Sequence, residues 1–209
     1  MFGAIIGDII GSTYEWHNVK TEDFELFPQG SRFTDDTVLS VAVAEKILNS
    51  HLSVVNSRKS YALWYKQYYR RYPNAGFGQM FAQWVESDFL RIQRSYGNGA
   101  AMRVTAIGLA YEDMDEMMAE VKESYVFDSR TSYSVPPAIE AFLEAQNYED
   151  AIRKAISIGG DSDTIACIAG GIAQAYYGEI PEKIKRRAMS ILDSGLKKVV
   201  GEFESKYLK

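Results

Sequence analysis

Cysteine and histidine are nearly absent from this 209-residue chain. With Cys167 as its one cysteine, no internal disulfide can form, and the apolar run Ile165–Ala169 around it reads as buried helix. His17 and His51 sit in expected loops with no cysteine or acidic triad pattern around them and read as surface residues. The chain therefore lacks the thiolate and imidazole sets that zinc or copper sites draw on. Charge of one sign is also in short supply: the formal net charge of −5 argues against a dedicated nucleic-acid or anionic-membrane surface. No apolar run is long enough to span a bilayer. The segment Met1–Ile10 is apolar, but it carries Asp8 and lacks a basic flank, so a signal peptide is not expected and a reducing cytoplasm is. Low-complexity tracts, internal repeats and linkers are missing too. At 46% hydrophobic and 24% charged residues, one soluble domain over 1–209 is expected.

Strand signals are scarce and helical spacing is common. Gly3, Gly7 and Gly11 recur at four-residue steps in a helix predicted over 3–14, and a stripe without Cβ atoms lets another backbone approach closely. Val38, Val41, Ala42, Ala44, Ile47 and Leu48 predict a helix over 38–49. Further helices are predicted over 58–71, 78–86, 99–111, 137–146, 148–158, 164–177 and 181–193, the last with Pro181 in its first turn. The fold class is all-α.

Two clusters of acids and hydroxyls stand just ahead of small-residue helices. One is Thr34-Asp35-Asp36-Thr37. The other is Asp161-Ser162-Asp163-Thr164, behind Gly159-Gly160. Asp36, Thr37 or Asp163 could simply cap the helices that follow. A cap needs one oxygen, however, and each cluster supplies several; adjacent carboxylates repel unless a cation neutralises them. Hard divalent cations such as Mg²⁺, Mn²⁺ and Ca²⁺ prefer such oxygen sets. An EF-hand loop is excluded, because the stretch after Asp163 is apolar and lacks the further acidic, glycine and glutamate positions. An aspartyl-phosphate site would follow a β-branched strand, which Gly159-Gly160 is not. The clusters can share one site only if the two helix starts converge, with close mutual packing of the helices.

Asp8, among isoleucines on a buried helix, requires a specific partner. Glu15 falls where that helix ends and can serve as acid or base, or stand as an exposed loop residue. Gly97-Asn98-Gly99 opens a helix whose free N–H groups suit a phosphate, although ordinary turns also read this way. Tyr96, Phe127 and Tyr133 are candidates for stacking on a base or for packing.

Taken together, Gly3 to Glu15, Phe33 to Thr37, Pro73 to Gly78, Gly97 to Arg103, and Pro136 to Gly178 with its Gly-Gly-Asp-Ser-Asp-Thr-Ile-Ala run resemble the ADP-ribosylglycohydrolase family. The resemblance implies an all-α domain with a central cleft binding two divalent cations, Mg²⁺ or Mn²⁺. It implies hydrolysis of the bond between ADP-ribose and an acceptor, often a protein side chain. By position, Thr34, Asp35 and Asp36 would bind metal from one side, and Asp161, Asp163 and Thr164 from the other. Asp36 or Glu15 would move the proton, and Tyr96, Gly97, Asn98 and Gly99 would meet the substrate, the glycine loop holding its diphosphate. The partner would be an ADP-ribosylated protein or small molecule, and the chain a monomer. One departure is visible: only Tyr111 to Val135 fills the family's longer middle, without its histidine segment. Adenosine is therefore expected to be held less completely than the ribose and diphosphate. The alternatives are a non-catalytic ADP-ribose-binding or structural member of the fold, and a hydrolase of a related nucleotide-like small molecule.

Overall fold

The computed structural model describes residues 1–50, 61–88, 93–95, 97–124, 127–129 and 133–208. Its architecture is helical, with one short pair of strands. Helix α1 (Phe2–Gly11) is buried along its whole length and lies against α10 (Ser162–Tyr177). The glycine stripe makes this approach possible. A Cβ on Gly7 would stand 2.0 Å from the Ala166 carbonyl oxygen, one on Gly3 would stand 2.5 Å from that of Gly170, and one on Gly11 would stand 2.5 Å from Cα of Asp163. All three are closer than real Cβ contacts come, so the two backbones nearly touch over three turns.

On one side of this pair, α8 (Val135–Leu143) and α9 (Tyr148–Ile158) pack against α10. The Tyr148 hydroxyl donates to the Gly3 carbonyl at 2.7 Å. On the other side, α2 (Asp35–Ser50) packs against α3 (Tyr61–Arg71) and α12 (Ser194–Tyr207). Short helices α4 (Gln79–Glu86) and α5 (Gly99–Met102) line the cleft, and α6 (Thr105–Ala110) packs against α2 and α10. Helix α7 (Met114–Ser124) anchors through Glu120, which accepts from Lys46 of α2 at 2.7 Å and from the Tyr61 hydroxyl of α3 at 2.5 Å. Helix α11 (Glu182–Ile191) follows α10. Strands β1 (Gln93–Ser95) and β2 (Phe127–Ser129) pair in parallel. No helix among the described residues is long and apolar enough to cross a membrane.

The all-α expectation holds, and helix 148–158 has the expected bounds. Three expectations need correction. Helix 99–111 is broken at Arg103-Val104 into α5 and α6. Helices α7 and α12 and the strand pair were not anticipated. Helices α2 and α10 begin at Asp35 and Ser162, so most of the acids lie in their first turns rather than ahead of them. His17 is exposed and Cys167 is buried, as expected; His51 lies outside the described residues.

Candidate active-site cleft

Asp8 organises the cleft. Its carboxylate projects from α1 and is fully buried at the start of α2. It accepts from the backbone N–H of Thr34 at 2.9 Å and of Thr37 at 3.1 Å, from the Thr34 hydroxyl at 2.6 Å, and from the Thr37 hydroxyl. Burial pushes its pKa up and these four donors pull it back down. A helix start leaves backbone N–H groups without partners, normally met by a local cap. Here the work is shared: Asp8, from another helix, takes the Thr37 N–H, and the Thr34 hydroxyl accepts from the Asp36 N–H at 3.3 Å.

At α10 the acids are engaged differently. Asp161 occupies the N-cap position, but its side chain makes no capping bond. Asp163 accepts from the Thr164 N–H beside it at 2.9 Å. The Thr164 hydroxyl donates to Asp36 Oδ2 at 3.3 Å, joining the two clusters directly. The expected convergence is therefore present at the helix tips. The expected close packing of α2 against α10 is not: these helices meet only near their first turns, and α1, packed closely on α10, bridges them.

Charge crowding follows. Burial, and next the neighbouring Asp163, raise the Asp36 carboxyl well above its ordinary value. Asp163 is pushed up to about 10, chiefly by burial, then by its hydrogen bond with Asp161. Asp35 is pushed up to about 7 by burial and then by Asp8. Oδ1 of Asp36 is buried with no hydrogen-bond partner. One oxygen from each of Glu15, Asp161 and Asp163 lies within 4.8 Å of the others. Glu15 is raised by burial and then by Asp161, while a hydrogen bond from Trp16 lowers it.

A cavity of about 570 Å³ opens above these groups. Thr34, Asp35, Asp36, Asp161, Asp163, Thr164 and Glu15 all line it, as do Gly97, Asn98 and Gly99. The Asn98 amide donates to Asp161 at 2.5 Å and to the Ser134 hydroxyl at 2.7 Å, so the glycine loop is fastened to the acids. Tyr96 lies outside the described residues, and Tyr133 is an exposed residue away from the cavity lining.

Several lining or supporting residues escaped the sequence reading. Trp16, Arg32, Met80 and Arg103 line the cavity. Asn18 and Lys20 fasten the segment after Glu15 to the loop before Asp161, Asn18 accepting from the Gly160 N–H and Lys20 donating to the Ile158 carbonyl. Gly159 and Gly160 hold φ of 75° and 86°, a left-handed turn in which other residues are strained. The Asp8 pairing was the one with a usable signal, a carboxylate alone among isoleucines. Nothing local marks Asn18 or Lys20.

The sequence profile described as ADP-ribosylglycohydrolase matches residues 1–132 and 127–206. The chain belongs to the ADP-ribosylglycohydrolase family. It is similar to ADP-ribosylhydrolase ARH3 of Xenopus tropicalis, 26% identical over 164 residues that take in 66% of this chain and 46% of that protein. The chain thus spans under half of that relative. ARH3 of Gallus gallus is 24% identical over 311 aligned positions, covering 85% of this chain and 84% of the relative. That alignment is longer than the 209-residue chain itself, so it contains insertions relative to this sequence. ARH3 of Homo sapiens is 45% identical over 62 aligned positions that cover 23% of this chain and 17% of that protein. In fold, the chain is similar to a solved ADP-ribosylglycohydrolase-related protein complex, with a TM-score of 0.67 over 99% of this chain and 96% of that one at 18% identity.

Proposed function

We propose that this family member is a divalent-metal-dependent hydrolase that cleaves the glycosidic bond between ADP-ribose and an acceptor, acting as one domain over 1–209. The observation that carries the reading is the meeting of Asp36 with Thr164 across the helix tips, beside the Asp163 charge and with an unpartnered buried oxygen on Asp36. Buried carboxylates in such number are unfavourable without a compensating cation. The donors are all oxygen, which suits Mg²⁺ or Mn²⁺. Thr34, Asp35 and Asp36 from α2, and Asp161, Asp163 and Thr164 from α10, would hold two cations. Bound there, the cations would supply Lewis acidity for a water and a template for ribose hydroxyls.

The chain's own groups do the rest. Asp8 fixes the start of α2 so that Asp35 and Asp36 face the cleft. Glu15, its pKa raised by burial, moves the proton, with Asp36 as the other candidate. The Gly97-Asn98-Gly99 backbone, tied to Asp161, receives the diphosphate. The cavity size falls in the range of small-molecule sites, about 300–1,000 Å³. A second role for Glu15 is favoured by its closeness to Asp161 and Asp163: it could be a metal ligand instead of the proton carrier.

The test is release of ADP-ribose from a panel of ADP-ribosylated arginine, serine, nucleic-acid and small-molecule acceptors, with Mg²⁺, with Mn²⁺ and after chelation. Metal-dependent release from one acceptor class supports the reading; binding of ADP-ribose without release from any of them favours a non-catalytic member. Glu15→Gln separates its two roles. A rate loss of about 10²–10⁴-fold with cation affinity kept marks a proton carrier, and loss of cation affinity marks a ligand.

A further inference from the structure

The carboxamide of Asn98 reaches two other elements. Its Nδ2 donates to Asp161 Oδ2 at 2.5 Å and to the Ser134 hydroxyl at 2.7 Å. Both acceptors stand at N-cap positions, Asp161 of α10 and Ser134 of α8, and neither side chain makes a capping bond there. Ser134 is buried, so its hydroxyl is a fixed anchor. An ionised carboxylate can only accept, so the amide nitrogen of Asn98, not its carbonyl oxygen, must face Asp161. Resting on the function proposed above, we infer that the Asn98 side chain is a positioning residue of the cation site, holding Asp161 beside the other acids before a cation binds. This role is separate from that of the loop backbone, which receives the diphosphate. The reason is electrostatic. One oxygen from each of Glu15, Asp161 and Asp163 lies within 4.8 Å of the others. Asp161 shares a hydrogen bond with Asp163, but the charge of Glu15 opposes its own. Its carboxylate lines the open cavity, so it has solvent to turn to. Without a donor on Oδ2, repulsion in the metal-free cleft would swing it outward, and the turn back would weaken cation binding. The Asn98 N–H removes that reorganisation in advance, as outer hydrogen-bond partners do for metal ligands generally. Ser134 keeps the amide from following Asp161 outward.

Two measurements test this, and neither needs turnover. The first is Mn²⁺ affinity by titration calorimetry, on folded protein without nucleotide. Asn98→Ala should weaken it by about 10–100-fold, the loss typical when an outer hydrogen-bond partner is removed. Ser134→Ala, which leaves the Asn98–Asp161 bond in place but unanchored, should weaken it by less. Asp161→Asn supplies the decisive background, because it removes the charge that Asn98 holds against repulsion. There Asn98→Ala should cost little more, since residues that act through one contact are not additive. A merely structural Asn98 would lower the metal-free melting temperature and reduce affinity by the same factor in both backgrounds. That additivity, or wild-type affinity in Asn98→Ala, would overturn the inference. The second measurement uses metal-free protein. Hydrogen exchange of the Asn98 side-chain amide, read by NMR, should be slow in wild type and faster in Asp161→Ala; equal rates would also overturn the inference. The outcomes stay distinct from those of the proposed function. Mn²⁺ binding that depends on Asn98 supports the inference even if no ADP-ribosyl conjugate is hydrolysed, and a wild type that binds no Mn²⁺ overturns both.

Discussion

Removing divalent cations should make this protein's stability fall as pH rises, and restoring them should offset much of the fall. The sign follows from the acids. Asp35 is held at about 7 in the folded protein against an ordinary value of 3.8. A carboxyl raised in this way binds its proton more tightly when folded. Its contribution is fully present below the unfolded pKa and is lost as pH rises through the folded one. At about 1.4 kcal/mol per unit, Asp35 alone accounts for at most about 4 kcal/mol between pH 4 and 7. For a chain of this size 1 kcal/mol moves Tm by about 2–4 °C, so the drop should approach 8–16 °C. Asp163, pushed up to about 10, extends the loss above neutrality. A cation at a hundred times its Kd returns about 2.7 kcal/mol, and more at higher pH because its ligands must be ionised. The assay is thermal melting of chelated protein from pH 4 to 8, with and without Mg²⁺ or Mn²⁺. Asp35→Asn should flatten the metal-free slope. A melting point that is flat with pH after chelation, and unmoved by either cation at pH 7.5, would show that these carboxylates are not crowded and that no metal site exists.

Gly7→Ala should destabilise by about 3 kcal/mol or more, since its Cβ would fall 2.0 Å from a backbone oxygen of α10. Gly201→Ala, where a Cβ meets nothing within 4 Å, is the matched control and should stabilise by about 0.5–1 kcal/mol; equal effects on urea midpoints would refute the close approach of α1 and α10. Asp8→Ala strands the buried N–H groups of Thr34 and Thr37 and should cost about 2–6 kcal/mol. Asp8→Asn, which keeps one acceptor oxygen, should cost less, and hydrogen exchange at those two amides should accelerate in the same order. Unchanged exchange would remove Asp8 as the organiser of α2.

What could be read in advance depended on whether the signal was local. The glycine stripe was legible because its spacing alone states that one face has no Cβ, and α9 was legible because its apolar period and its Asn147 cap agree. Helix α12 carried the same kind of signal, with Leu196, Val199, Val200 and Phe203 buried at helical steps and Asp193 capping Leu196 N–H at 2.9 Å, so its omission was a failure to use the pattern. Helix α7 was harder: Ser124 is its one buried residue, and its attachment runs through Glu120, a polar contact with no periodicity. The break between α5 and α6 accompanies a buried Arg103 whose guanidinium stacks on Tyr65 at 4.5 Å and donates to the Ser124 carbonyl, all tertiary effects. Strands β1 and β2 pair across 34 residues, Gln93 with Phe127, and no local pattern in three-residue strands announces that.

The acid clusters show how far local reading goes and where it stops. Each was recognisable as too rich in oxygens for a cap alone, but what brings the two together lies elsewhere in the chain. Asp8 takes the N–H groups of Thr34 and Thr37 at the start of α2, and it is placed there as Gly3, Gly7 and Gly11 let α1 settle onto α10 while still touching α2. One helix with three missing Cβ atoms therefore does two things. It sets the distance between the two acid clusters, and through Asp8 it meets part of the backbone demand at the start of α2. The carboxylates left over are too close and too buried to remain charged alone. The cation site proposed for this cleft thus rests on the packing of α1, so a substitution at Gly7, itself no proposed ligand, should weaken cation binding together with the fold.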